Sequence, residues 1–276
     1  MLNLSLISSE IHNKGYFVAE EIIDKDFIEK VKNEVNKENR KRGEKNWELN
    51  SVRLLSLLYK DKIFLKLFKN EQIHKIVSKL LGDKYIYSFF SANTVYSSTS
   101  SINFHRDHPT QLGSNIFKSV NNNYLLSVQL IILLDDFDLE NGATLVIPHS
   151  HKKDISNNEI KNTQKDIIKH AKSIVAKKGS ILIYDPNLLH SSGINKTNNS
   201  RSVIILSFCQ PFIRTQENIG IHSGNFLNES ESFKEMIGYK LPKQQVSQTH
   251  IHKGNFFFPL KLRIKKIIKN ILRISK

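Results

Sequence analysis

The chain is predicted to fold as a mainly β jelly-roll barrel with flanking helices, and three observations carry that prediction. Apolar residues in the first third recur at helical spacing. From Tyr85 the period shortens to that of strands, in short β-branched and aromatic runs. Gly, Pro, Asn and Asp recur between those runs as turn signals, the pattern of many short strands closing into a sandwich or barrel.

Asp24 is placed to cap a helix whose Phe27, Ile28, Val31 and Val35 share a face, with Gly43 near its end. A second amphipathic segment, Ile73, Ile76, Val77, Leu80 and Leu81, stops at Gly82. All of residues 1–82 is read as helical buttress for a β core. Strands are expected at Tyr85–Phe90, Thr94–Tyr96, Ser127–Leu134, Thr144–Ile147, Ser173–Ala176, Ser180–Tyr184 and Arg201–Phe208. Residues 109–123 form a polar loop of the kind that shapes substrate pockets. The polar stretch 154–172 is open to helix.

Composition narrows the class. With 39% hydrophobic and 24% charged residues over 276 positions, one soluble domain with appendages is expected. Cys209 is the only cysteine, so no intramolecular disulfide can form, and a reducing, cytoplasmic setting is expected. Residues 1–10 lack the basic start of a secretory signal. The longest strongly apolar stretch, Leu125–Leu134, is too short to span a bilayer. The net charge of +15 does not point to nucleic acid, because seven Lys and Arg crowd into residues 259–276 and the body shows no basic stripe interleaved with aromatics.

The chemistry centres on His105-x-Asp107. Alternate residues of an extended segment point the same way, so this pair can converge on one ion. Two imidazoles and one carboxylate on one face are the donor set of non-haem Fe(II) oxygenases. With 11 histidines and as many aspartates, chance alone supplies roughly 0.4 such tripeptides, so the motif needs support. His190, ending a strand–turn unit, offers the second imidazole, and Arg201 begins the next strand after a polar loop. Antiparallel neighbours joined by such a loop would bring the two together. A buried guanidinium there would pair bidentately with the carboxylate of a 2-oxoacid. His108 is a rival ligand, but it follows Asp107 directly and points the other way on an extended chain.

The ordered set His105-x-Asp107, Glu140-Asn141-Gly142, Ile147-Pro148-x-Ser150-His151, Gly179-x-x-x-x-Tyr184-Asp185-x-x-x-x-His190-x-Ser192-Gly193-x-Asn195 and Arg201 resembles the phytanoyl-CoA dioxygenase family of Fe(II)/2-oxoglutarate oxygenases. The likeness spans roughly residues 85–210, with Ile237-Gly238-Tyr239 a fainter echo. It implies a double-stranded β-helix, with iron at His105, Asp107 and His190 and 2-oxoglutarate paired with Arg201. It also implies O2 as the other reactant. Ser127, Gln129 and Ile131 share a strand face, and residues matching this strand line the 2-oxoglutarate site in similar enzymes. Ser192 should face the same way as His190. The chain departs from the family in two places: His149 stands where glycine is usual, and Ile131 where tryptophan is. Halogenating relatives replace the carboxylate ligand by a small residue, so Asp107 favours hydroxylation.

In the tail, Leu260, Ile264, Ile267, Ile268, Ile271 and Ile274 recur at helical spacing among Lys261, Lys265, Lys266, Lys269 and Arg273, after Phe256-Phe257-Phe258. This is the pattern of an interfacial helix drawn to anionic lipid. A helix docked on the barrel or on another subunit is the alternative. The expectation is therefore an oxygenase domain (1–240), a linker (241–258) and a basic amphipathic helix (259–276), peripheral on the inner face of the membrane. The activity expected is hydroxylation of an unactivated C–H bond of a small molecule, a lipid-linked or glycan precursor if the tail docks on a membrane, releasing succinate and CO2. The rival is a non-catalytic jelly-roll binding protein attached to a membrane by its tail.

Overall fold

The computed structural model describes residues 2–42, 44–46, 50–97, 103–107, 125–153, 155, 157–217, 226 and 228–238. His108, the loop 109–123, the expected linker 241–258 and the basic tail 259–276 lie outside them. A seven-stranded antiparallel sheet runs in the order β1 (Tyr16–Ala19), β8 (Ile181–Tyr184), β5 (Ser127–Leu133), β10 (Arg201–Cys209), β4 (Ile86–Val95), β3 (Ser51–Leu54) and β2 (Glu44–Asn46). A smaller sheet has the order β7 (Lys172–Ser173), β6 (Thr144–Val146) and β9 (His190–Ser192). Together they form the two faces of a double-stranded β-helix.

β5 shows why this sequence gives two sheets and a helical layer. It is buried along its whole length, so it reads as a continuous apolar run instead of alternating. Val128, Leu130 and Ile132 pack outward, with Ile204 and Leu206 of β10, under the helices. Ile131 and Leu133 pack inward, with Leu182, Tyr184, Val203 and Val146 of the smaller sheet. Gln129 shares that inward face.

The outer face is covered by α1 (Leu4–Lys14), α2 (Lys25–Arg42), α3 (Lys62–Phe68) and α4 (Glu71–Leu81). Asp24 Oδ1 accepts from Phe27 N at 2.9 Å, the cap expected for α2. Gly82, at φ 81°, closes α4 by donating to Ser78 O at 2.9 Å. Phe68 is the hub of this layer, in ring contact with His74, Tyr87, Phe90, Phe208 and Phe233. Truncating such a buried ring to alanine costs about 3–5 kcal/mol.

Two expectations are corrected. Residues 1–82 are not all helix: β1, β2 and β3 extend both ends of the larger sheet. These strands are three or four residues long, too short for a period of two to show in the sequence. The runs at Tyr85–Phe90 and Thr94–Tyr96 are one strand, because Ser91, Ala92 and Asn93 between them pair with Ile205, Ile204 and Val203. Small polar residues interrupt the hydrophobic pattern without interrupting backbone pairing. Among the described residues, no helix is long and apolar enough to cross a membrane.

Candidate active site

The segment bearing His105 and Asp107 is tied to β9 by its backbone. His105 N donates to His190 O at 3.0 Å and His190 N returns the bond at 3.1 Å. Asp107 N donates to Pro186 O at 2.9 Å. Arg106 points the other way, as alternation requires. Its guanidinium donates to Ser150 O at 3.1 Å, Lys153 O at 2.8 Å and Ile155 O at 3.1 Å, latching the segment to the turn after β6.

His105, Asp107 and His190 thereby present one ligand atom each, all within 4.8 Å of one another. His105 Nδ1 lies 2.9 Å from Asn103 O, and His190 Nδ1 3.0 Å from Leu188 O. A carbonyl only accepts, so each Nδ1 carries its hydrogen and each neutral ring turns the Nε2 lone pair inward. Those Nε2 atoms stand 3.5 Å and 3.4 Å from the two oxygens of Asp107. Two imidazole lone pairs facing a carboxylate repel one another unless a proton or a cation sits among them. The set therefore fits a divalent metal, with the backbone carbonyls orienting the rings.

The surroundings are graded in polarity. The His190 side chain is 8% exposed, whereas that of His105 is 51% exposed and faces the open side. Burial, only partly offset by Asp107, lowers the pKa of His190. At His105 partial burial opposes the charge, yet the bond to Asp107 prevails and the pKa is raised. Burial alone would raise Asp107; His190, His105 and Tyr184 together hold its carboxyl well below the usual range. The Tyr184 hydroxyl supplies a 2.6 Å hydrogen bond to Asp107 Oδ2, and burial keeps that phenol protonated.

Arg201 is 2% exposed and faces the barrel interior. Its guanidinium carbon lies 4.8 Å from the centre of the Phe137 ring, Nη2 donates to Gly142 O, and Nε has no partner. Burial pushes its pKa down to about 10, against the pull of nearby Asp135. A buried guanidinium without a hydrogen-bonded carboxylate is costly, and a ligand carboxylate would relieve that cost. Gln129 Oε1 is likewise buried without a partner, and Gln129 stands directly opposite Tyr184 in the β5–β8 ladder. The residues present thus fit a metal together with a dicarboxylate.

His190 and Arg201 are not ladder neighbours, as their short separation had suggested. His190 lies in the smaller sheet and Arg201 in the larger, and residues 193–200 cross between the sheets. Asn195 shapes that crossing, donating to Asn199 O at 2.7 Å and accepting from Thr197 N at 3.0 Å. At Gly193 a Cβ would come within 2.6 Å of Ala143 O, so only glycine fits there.

Ser127 is buried two residues before Gln129 on the strand, opposite Cys209. Ser192 lies opposite Thr144, half-buried, two residues on from His190. His149 adopts φ 64°, the left-handed conformation glycine usually supplies, and its Nδ1 bonds Asn13 O at 2.9 Å. It anchors α1 and is no part of the cluster. Sequence reasoning missed Tyr184 as a site residue. Tyr184 sits in an unbroken apolar run that gives no sign of its inward hydroxyl.

A family model described as phytanoyl-CoA dioxygenase (PhyH) matches residues 11–203. The chain belongs to the phytanoyl-CoA dioxygenase family. It is accordingly an iron- and 2-oxoglutarate-dependent dioxygenase. It is 25% identical over 236 residues to an uncharacterized protein of Mycobacterium tuberculosis, covering 78% of each chain. To the dioxygenase af480 of Aspergillus fumigatus it is 27% identical over 194 residues, covering 68% of this chain and 58% of that protein. In fold it is similar to HygX of Streptomyces hygroscopicus, solved with nickel and 2-oxoglutarate bound, with a TM-score of 0.66 and 12% identity over 78% of this chain and 90% of that one. HygX has also been solved with hygromycin B bound.

Proposed function

We propose that this family member hydroxylates a C–H bond of a small molecule, with Fe(II) held by His105, Asp107 and His190 and 2-oxoglutarate paired with Arg201. One observation carries the assignment: two fixed Nε2 lone pairs and a carboxylate converge on one point, while Arg201 Nε and Gln129 Oε1 wait without partners in the same interior. The bound metal and co-substrate would supply the oxidant, by activating O2 at the expense of the 2-oxoacid. The chain's own groups do the rest. Asp107 and the two imidazoles would hold the metal. Arg201 orients the distal carboxylate, Tyr184 holds Asp107 in its rotamer, and Ile131, Leu133 and Val203 exclude water behind them. Gln129 is the polar residue of β5 best placed to touch the co-substrate. Ser127 and Ser192 flank the same faces. The small-molecule class is supported by the fold likeness to HygX, which binds hygromycin B, and hydroxylation by the presence of the Asp107 carboxylate.

We also propose that residues 256–276 hold the protein at an anionic membrane surface, which would favour a lipid-linked or glycan precursor as substrate. The basic amphipathic pattern supports this, and removing those residues is expected to abolish co-sedimentation with anionic liposomes. For the reaction itself, the test is O2 uptake and succinate formation from 2-oxoglutarate by the Fe(II)-loaded chain. A binding module would give none above background, and turnover unchanged in Asp107→Ala would remove the metal assignment.

A further inference from the structure

The interior face carries a second guanidinium that the co-substrate does not need. Val52 and Leu54 of β3 turn outward into the buried layer under the helices, so Arg53 between them turns inward. It pairs with Asn93 of β4, which pairs in turn with Val203 of β10, whose side chain lies in the inner cluster. Arg53 is exposed, and its guanidinium carbon lies 6.0 Å from the centre of the Phe89 ring. Phe89 begins a row that continues through Ser207 and Gln129 to Tyr184, the residue bonded to Asp107. Three strand spacings, roughly 14 Å, separate the ends of that row. Among the described residues Arg53 makes no hydrogen bond and no ion pair.

We propose that Arg53 is a specificity residue that binds an oxyanion, carboxylate or phosphate, of the substrate at the exposed end of this sheet face. The proposal rests on the reading of His105, Asp107, His190 and Arg201 above. Arg201 lies two residues along and two strands across from Arg53, buried where a co-substrate carboxylate would be taken. A separate, exposed cation on the same face offers a place for a separate anion, and the Phe89 ring flanks its guanidinium at 6.0 Å. Phe89, beside the Arg53 guanidinium, shares its row with Tyr184, which bonds Asp107, so an anion held by Arg53 would face the same interior as the cluster. Substrates would then carry their reacting carbon a short chain away from an acidic group.

The test uses the full chain loaded with Ni(II) and saturating 2-oxoglutarate, titrated with hexanoate, hexyl phosphate and neutral hexanol. Wild type is expected to bind at least one anion about five- to tenfold more tightly than hexanol. Arg53→Gln should bring that anion to the level of hexanol, and Arg53→Lys should restore part of the preference. Whichever anion responds names the group. No preference for either anion in wild type, or a preference that survives Arg53→Gln, overturns the proposal. So does a weakening of 2-oxoglutarate itself by Arg53→Gln, which would place the residue in the co-substrate pocket. If wild type takes up neither Ni(II) nor 2-oxoglutarate, measured before any probe is added, the underlying reading falls instead.

Discussion

The Tyr184 hydroxyl donates to Asp107 Oδ2 at 2.6 Å, so a carboxylate facing His190 of the smaller sheet and His105 bridged to it is steadied from the larger sheet. Burial raises the pKa of the phenol well above the ordinary value, so it meets the carboxylate in its protonated form and donates to it. Tyr184→Phe keeps the ring and removes that bond, together with the 3.4 Å contact between the hydroxyl and His190 Nε2. Losing such an orienting partner typically weakens metal binding about tenfold or more. Competition with a chelator for Ni(II) measures it, and an unchanged dissociation constant would take Tyr184 out of the account.

Arg201→Met tests the co-substrate side. The substitution removes a buried guanidinium of similar length, so the chain without 2-oxoglutarate should melt at the same temperature or higher. The stabilisation that 2-oxoglutarate adds to the metal-loaded protein should vanish. A charge-assisted bidentate pair contributes about 2–3 kcal/mol, so affinity is expected to fall roughly 30- to 100-fold. Titration followed by thermal denaturation checks both halves.

Arg106→Met should lower turnover without touching a reactant. Three donated bonds hold the His105–Asp107 segment to Ser150, Lys153 and Ile155 from the side away from the cluster. Without them both ligands lose a common anchor. We expect metal affinity and the rate of succinate formation to fall about tenfold, while 2-oxoglutarate binding to the fully metal-loaded variant stays within twofold or so. Steady-state rates and titration separate the two effects.

Asp185 makes stability depend on pH. Burial is the largest influence and raises its pKa to about 6, partly opposed by the bonds from Asn187 and the charges of Arg106 and His12. A carboxyl raised in the folded state contributes stability in its protonated form, fully present below the unfolded value near 4 and lost as pH rises through about 6. Asp185→Asn keeps an acceptor for Asn187 N but cannot ionise. Relative to wild type it should therefore gain about 2–3 kcal/mol between pH 4 and pH 8, as an upper bound. Urea unfolding of metal-free protein at both pH values gives the difference, and a gain that does not grow with pH contradicts it.

Legibility in the sequence followed the range of the interaction. The α2 cap at Asp24, the α4 stop at Gly82 and the burial of β5 depend on near neighbours, and each is visible in local pattern. The outlying strands β1 and β3 are too short to show a period. They are strands because the open edges of β8 and β4 offer them hydrogen bonds. Tyr184 and Arg53 stayed hidden for a related reason: inward orientation is set by register with a partner strand, and register is not written in the run itself.

Residue types and spacing alone determined which side chains were capable of holding a metal and a carboxylate: His105 and Asp107 two apart, then His190 and Arg201. Only the tertiary structure decided which nitrogen each imidazole turns inward, through Asn103 O and Leu188 O. It also decided that His190 and Arg201 belong to different sheets. Alternation along a strand is a property of the chain, whereas convergence across a barrel needs two sheets to close, and closure is driven by burial of residues far from the site.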